Sequence, residues 1–175
     1  MIKTESILNP KIEVKDTNKY GLGVFAKEII KKGEAIHTLK GEEITGAVGD
    51  KMVVDGLLNN DDPLQVDDDN YFILDNLSHA FNHSCEPNAA LKDVSTLFAL
   101  RDIKEGEEIT YDYSTTVGPD NFTFTTMNNC LCGSTKCRKS LGNVLSIPED
   151  ILKFYKETGA LQNYIVKALK NINKY

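Results

Sequence analysis

No stretch of this chain approaches the roughly 20 apolar residues that cross a bilayer. Its N-terminus carries no signal-peptide pattern. No membrane role is therefore expected, and the expected compartment is a reducing one, cytoplasmic with the nucleus as the alternative. Lys and Arg are absent between Lys51 and Lys92, and the formal net charge is −6. Both facts argue against direct nucleic-acid binding by the whole surface. No internal repeat is evident. Gly21-Leu22-Gly23 lacks the third glycine of a dinucleotide fingerprint. Asp67-Asp68-Asp69 lacks the alternating ligands and central glycine of a calcium loop.

What is present is an ordinary globular composition, 41% hydrophobic and 26% charged over 175 residues. A chain of this length forms one domain, with or without small appendages. It buries roughly two-thirds of its unfolded surface and folds without disulfides. The region lacking Lys and Arg carries Asp55, Asp61, Asp62, Asp67, Asp68, Asp69, Asp75 and Glu86. That acidity suits a basic ligand such as a Lys/Arg-rich peptide, and it equally suits a solvated loop. The C-terminal part is the reverse, with Lys136, Arg138, Lys139, Lys153, Lys156, Lys167, Lys170 and Lys174.

The first two-thirds reads as short strands between turns. Runs rich in Val, Ile, Phe and Tyr predict strands over Lys11–Val14, Gly23–Ile30, Ala35–Leu39, Met52–Asp55, Tyr71–Leu74, Thr96–Asp102 and Glu108–Tyr113. Lys32-Gly33 and Glu105-Gly106 predict tight turns, and Asn59-Asn60-Asp61-Asp62-Pro63 a loop. Ser146-Ile147-Pro148-Glu149 fits a capping box, with Pro just inside a helix that runs to about Thr158 and stops at Gly159. Leu161, Tyr164, Ile165, Ala168, Leu169 and Ile172 then recur at helical spacing, an apolar stripe expected to pack on the sheets.

The four cysteines are Cys85, Cys130, Cys132 and Cys137. They admit three readings: free thiols, two disulfides or one metal site. Disulfides are disfavoured in a reducing compartment. A turn containing Gly133 and Ser134 can gather three thiolates, and Cys85 completes a tetrahedral set, so the spacing favours zinc.

Three further segments carry the chemistry. They are Tyr20-Gly21-Leu22-Gly23-Val24-Phe25-Ala26, the polar turn from Asn82-His83-Ser84-Cys85 to Asn88, and Gly106-Glu107-Glu108-Ile109-Thr110-Tyr111-Asp112-Tyr113. In this order, and followed by Cys130-Leu131-Cys132 and Cys137, they resemble the SET-domain protein-lysine methyltransferases with a post-SET zinc motif. The resemblance covers about 11–141.

The resemblance implies a mainly β fold of small sheets in which the Asn-His and tyrosine segments cross like a pseudoknot. It also implies C-terminal helices after the zinc loop. The implied division is a SET domain over 8–114, a post-SET zinc segment over 115–142 and a helical extension over 143–175. Gly21, Leu22, Gly23, Asn82 and His83 would hold S-adenosylmethionine, with Tyr113 beside it, and Leu131 would close over the adenine. Tyr113 matches the catalytic tyrosine, and Tyr111 the Phe/Tyr position that sets the number of methyl groups. A tyrosine there implies mainly mono-methylation with some di-methylation. Cys85, Cys130, Cys132 and Cys137 would bind a structural Zn2+. The implied substrate is a lysine in a basic protein, such as a histone tail.

Two departures stand out. His79-Ala80 replaces a frequent Arg-Phe, and Leu39 replaces a frequent aromatic wall residue, a wall that is then either missing or supplied by Tyr71. These departures motivate an alternative, a non-catalytic, zinc-stapled module that binds proteins. No cysteine-rich region precedes the motifs.

Overall fold

The computed structural model describes residues 9–19, 21–58, 63–120 and 129–175. Tyr20 and most of the predicted loop at 59–63 lie outside the described residues. The described chain is mainly β. Strands β1 (Ile12–Asp16) and β2 (Leu22–Ala26) form an antiparallel pair. Strands β3 (Ala35–Thr38), β4 (Gly41–Thr45), β5 (Pro63–Gln65), β6 (Asn70–Leu74), β7 (Asn82–His83), β8 (Ala89–Lys92), β9 (Thr96–Ala99) and β10 (Thr110–Tyr111) follow. They make two three-stranded sheets, ordered β3-β9-β8 and β4-β6-β5, and one short parallel pair of β7 with β10.

Alternation along the central sheet explains how the layers meet. Leu97 and Phe98 are neighbours in β9 and point to opposite faces. Leu97 enters a core with Ile12, Val24, Ile36, Phe81 and Ile109. Phe98 enters a second core with Tyr155, Leu161, Tyr164, Ile165 and Leu169. Ala90 and Leu91 in β8 divide in the same way. That second core is supplied by helices α3 (Glu149–Thr158) and α4 (Asn163–Asn171). The C-terminal stripe therefore packs on the sheet as expected. Truncating Leu169, fully buried there, costs about 2–5 kcal/mol. Gly159 ends α3 at φ +67°, a conformation that a Cβ would strain.

The structure corrects several local expectations. Met52–Asp55 is not a strand. It belongs to helix α1 (Gly46–Val54), with Asp55 as its C-cap. The signal is tertiary: the Gly46 N–H donates to the Asp69 backbone and side-chain oxygens, which caps the helix from a distant turn. The Lys51–Asp55 ion pair adds an i,i+4 contact that a strand would not make. The capping box is absent as well. Pro148 is the N-cap of α3 and makes no side-chain cap bond, while Ser146 Oγ donates to the Asn143 carbonyl at 2.7 Å. Some predicted strands are also shorter than expected: Glu108–Tyr113 contributes only Thr110–Tyr111 before a 3-10 turn over Tyr113–Thr116. A one-turn helix, α2 (Asn76–His79), had no evident periodicity; the Asp75 carboxylate caps it by accepting from Ser78 N. Among the described residues no helix is long and apolar enough to cross a membrane.

Candidate active site

The parallel pairing of β7 with β10 builds the site, because it sets Asn82 beside Thr110 and His83 beside Tyr111. Side chains lock that register. Asn88, buried in the turn after β7, donates to the Glu108 carbonyl at 2.8 Å and accepts from Thr110 N at 3.0 Å. Asn82 Nδ2 donates to the Leu22 carbonyl at 2.9 Å and to Glu108 Oε1 at 2.8 Å. One amide thus ties all three sequence motifs together. Gly23 permits the approach: a Cβ there would lie 2.7 Å from Glu108 Oε1 and 3.1 Å from Asn82 Nδ2. Gly21 is held by Thr17, whose N–H and hydroxyl both donate to its carbonyl at 2.8 Å.

The two tyrosines stand together, with ring centroids 4.8 Å apart. Tyr113 Oη donates to the Phe81 carbonyl at 2.8 Å, and its backbone N–H donates to His83 Nδ1 at 3.2 Å. The His83 ring meets the Tyr113 ring edge-on at 5.3 Å. Tyr111 is 4% exposed. Burial, reinforced by Tyr113, raises its phenol well above the ordinary value, so it remains a neutral hydrogen-bond donor.

A cavity of about 210 Å³ opens beside these groups and is lined by Asn82, His83, Tyr113, Leu131 and Leu141, together with Cys130 and Cys132. Gly21, Leu22 and Gly23 join this constellation through the Asn82 amide. Leu131, a residue expected to close the site, is 64% exposed on the cavity's rim.

The cysteine chemistry fits zinc. Cys85, Cys130, Cys132 and Cys137 cluster with Leu141 under the cavity. Cys85 Sγ lies 3.9 Å from Cys130 Sγ. Two thiolates on one tetrahedral zinc, each about 2.3 Å from it, stand about 3.8 Å apart. Ligand atoms of His83, Cys85, Cys130 and Cys132 all lie within 4.8 Å of one another. Cys137 stands outside that group of four but packs against it, its Sγ donating to the Cys130 carbonyl at 3.6 Å. Burial pushes the Cys130 thiol up to about 12. It raises Cys132 too, but the N–H groups of Cys85 and Ser134, with the neighbouring thiols, outweigh it and draw that thiol down to about 7.

His83 was expected at the cofactor, and its side chain adds a further contact. Nδ1 accepts the Tyr113 N–H, which leaves the ring proton on Nε2, 3.3 Å from Cys85 Sγ. The ring therefore acts as a donor to sulfur. Burial, partly opposed by Asp112, lowers its pKa to about 4 and keeps it neutral.

Several contributors were not singled out from sequence. Asp112, between the two tyrosines, is 1% exposed. It accepts from both Arg138 guanidinium nitrogens at 2.6 Å and from Tyr155 Oη at 3.2 Å. The motif Tyr-Asp-Tyr announces the acid, but its partners lie 26 and 43 residues downstream. The departures also find their places. Leu39 is fully buried in the main core, and His79 is exposed at the end of α2. Tyr71 lines a second cavity of about 530 Å³ with Asp50, Asp68, Asp69, Asp120 and Tyr164. Of the acidic middle, Asp61 and Asp62 lie outside the described residues.

Residues 21–114 match the family model described as SET domain. The chain is 31% identical, over 93% of its length, to the variant-silencing SET domain-containing protein of Plasmodium falciparum (isolate 3D7), of which it covers 7%. It is 32% identical, over 73% of its length, to histone-lysine N-methyltransferase SUV39H1-A of Danio rerio, covering 40% of that protein. It is 34% identical, over 70% of its length, to histone-lysine N-methyltransferase trithorax of Drosophila virilis, covering 3% of it. The chain thus spans less than half of each of these relatives.

Proposed function

The chain belongs to the SET-domain family, and on that premise we propose that it is an S-adenosylmethionine-dependent protein-lysine N-methyltransferase. The observation that carries this reading is the junction of Asn82, Glu108 and Leu22, since it ties three separate motifs together beside the paired tyrosines and the cavity that Asn82, His83 and Tyr113 line. Asn82, His83 and the Gly21-Leu22-Gly23 segment are assigned to the cofactor, and Tyr113 and Tyr111 to the lysine. S-adenosylmethionine supplies, when bound, a methyl group activated by its sulfonium charge.

The protein's own work is then alignment and exclusion of water. Burial around Tyr111 disfavours an ammonium and so favours the neutral amine that can accept a methyl group. Tyr113 Oη, already fixed by the Phe81 carbonyl, holds an oxygen beside the cavity for weak C–H···O contacts. Tyr113 is a poor candidate for a general base, because an unperturbed phenol titrates near ~10. Tyr111 restricts the space at the amine, which supports mono-methylation with some di-methylation.

Cys85, Cys130, Cys132 and Cys137 are assigned as ligands of a structural Zn2+ that pins the loop over 129–141 to the Asn82 turn. The three-part division into 8–114, 115–142 and 143–175 follows this assignment. A basic protein is the proposed acceptor, a histone being the leading candidate. Two relatives are named histone-lysine methyltransferases, and the Asp50–Asp69–Asp120 cavity is acidic.

Transfer of label from methyl-labelled S-adenosylmethionine to a panel of basic proteins that includes core histones tests the reading. Label on lysine supports it. Cofactor binding with no transfer to any member of the panel favours the non-catalytic, zinc-stapled module instead.

A further inference from the structure

We propose that Arg138 is a positioning residue for the two tyrosines, because it joins the cysteine loop to Asp112 at the point where the chain passes from Tyr111 to Tyr113. Four observations carry this. Arg138 follows Cys137 directly, and its backbone N–H donates to Cys85 Sγ at 3.4 Å. Its guanidinium grips both Asp112 oxygens at 2.6 Å, and Nη2 also donates to Ser114 Oγ at 3.1 Å. The pair is almost wholly out of water, at 10% and 1% side-chain exposure. Tyr155 of α3 donates to the same Asp112 oxygen, so the C-terminal helices share the contact.

The geometry points to placement rather than to bulk stability. A buried ion pair recovers little net energy over an apolar pair of the same shape. This one even leaves Arg138 Nε buried with no partner. What it does achieve is direction. The planar guanidinium fork fixes the orientation of the Asp112 carboxylate. That carboxylate in turn caps the Tyr113–Thr116 turn by accepting from Ser114 N at 3.1 Å. Any shift of the cysteine loop is thereby passed to the residue flanked by Tyr111 and Tyr113. Neither Asp112 nor Arg138 is among the residues lining the cavity, so both would act through the tyrosines.

The single variant Arg138→Met strands a buried carboxylate, and its unfolding would say nothing about placement. The informative variant is Asp112→Asn with Arg138→Met, which removes both charges and keeps the volumes. Tyr155→Phe is the milder companion, removing one hydroxyl from the same oxygen. The full chain is labelled with 13C-tyrosine, and the ring resonances are followed together with bound zinc.

The double variant is expected to shift Tyr111 and Tyr113 but leave Tyr71 and Tyr164 in place. Zinc content stays at the wild-type level, and Tyr155→Phe gives a smaller shift of the same two rings. This readout does not depend on catalysis. The kinetic consequence rests on the methyltransferase reading: with core histones as acceptor, kcat falls by about tenfold to a hundredfold while KM for S-adenosylmethionine holds. Tyr111 and Tyr113 resonances that superimpose on the wild type would overturn the proposal. So would a loss of activity that merely tracks a loss of zinc.

Discussion

Asn82 Nδ2 lies 2.9 Å from the Leu22 carbonyl, across 60 residues of sequence. The same nitrogen gives its other hydrogen to Glu108. This amide decides the shape of the wall assigned here to the cofactor, and an aspartate in its place offers no donor and sets a second carboxylate against Glu108. Asn82→Asp is expected to cost about 1–3 kcal/mol of stability and to weaken S-adenosylmethionine binding more than tenfold. Thermal unfolding and titration calorimetry check both. Gly23→Ala gives the same pattern, because its methyl group would press on Glu108 Oε1 and Thr17.

Chelation tests the cysteine cluster. About one equivalent of zinc per chain is expected by metal analysis. Its removal, or Cys85→Ser, should lower the unfolding temperature and expose the loop over 129–141 to proteolysis, while the C-terminal helices stay protected in their own core. A protein that binds no zinc and unfolds at an unchanged temperature in chelator would contradict the assignment.

Tyr111→Phe removes a buried hydroxyl beside Tyr113 and leaves the ring in place. The space at the amine grows and a polar restraint is lost. Mass spectrometry of the product should show a shift from mono-methyl towards di- and tri-methyl lysine. An unaltered product distribution would remove Tyr111 from its assigned role.

Alkaline pH should expose the buried phenols. Burial raises Tyr111, Tyr155 and Tyr164 above the ordinary tyrosine value. Above about pH 10 the unfolded chain loses those protons while the folded chain keeps them. The folded state then binds more protons, so stability falls as pH rises through that region. Spectrophotometric titration should show these tyrosines ionising only as the protein unfolds.

Much of this was legible in the chain itself. The ordered motifs, through the family resemblance they carry, announced the mainly β fold, the tyrosine pair and the cysteine cluster, although Cys85 and Cys130 stand 45 residues apart. The C-terminal stripe was readable because a buried helix face repeats at a fixed period. What escaped depends on distant partners. Helix α1 begins because Asp69, more than twenty residues away, accepts the Gly46 N–H. The Asp112–Arg138 pair joins residues 26 apart, and neither residue type advertises the other. Ser146 and Glu149 had the pattern of a cap, but Ser146 already serves the preceding 3-10 turn.

The most direct measurement compares the full chain with Tyr113→Phe, using methyl-labelled S-adenosylmethionine and core histones, with cofactor affinity measured on the same samples. Tyr113 Oη is the polar atom at the cavity that this substitution removes, and the Phe81 carbonyl it serves remains. The account predicts labelled lysine from the wild type, together with a variant that binds cofactor and transfers at least about a hundredfold more slowly. Equal transfer by both proteins, or cofactor binding without transfer by either, would contradict it.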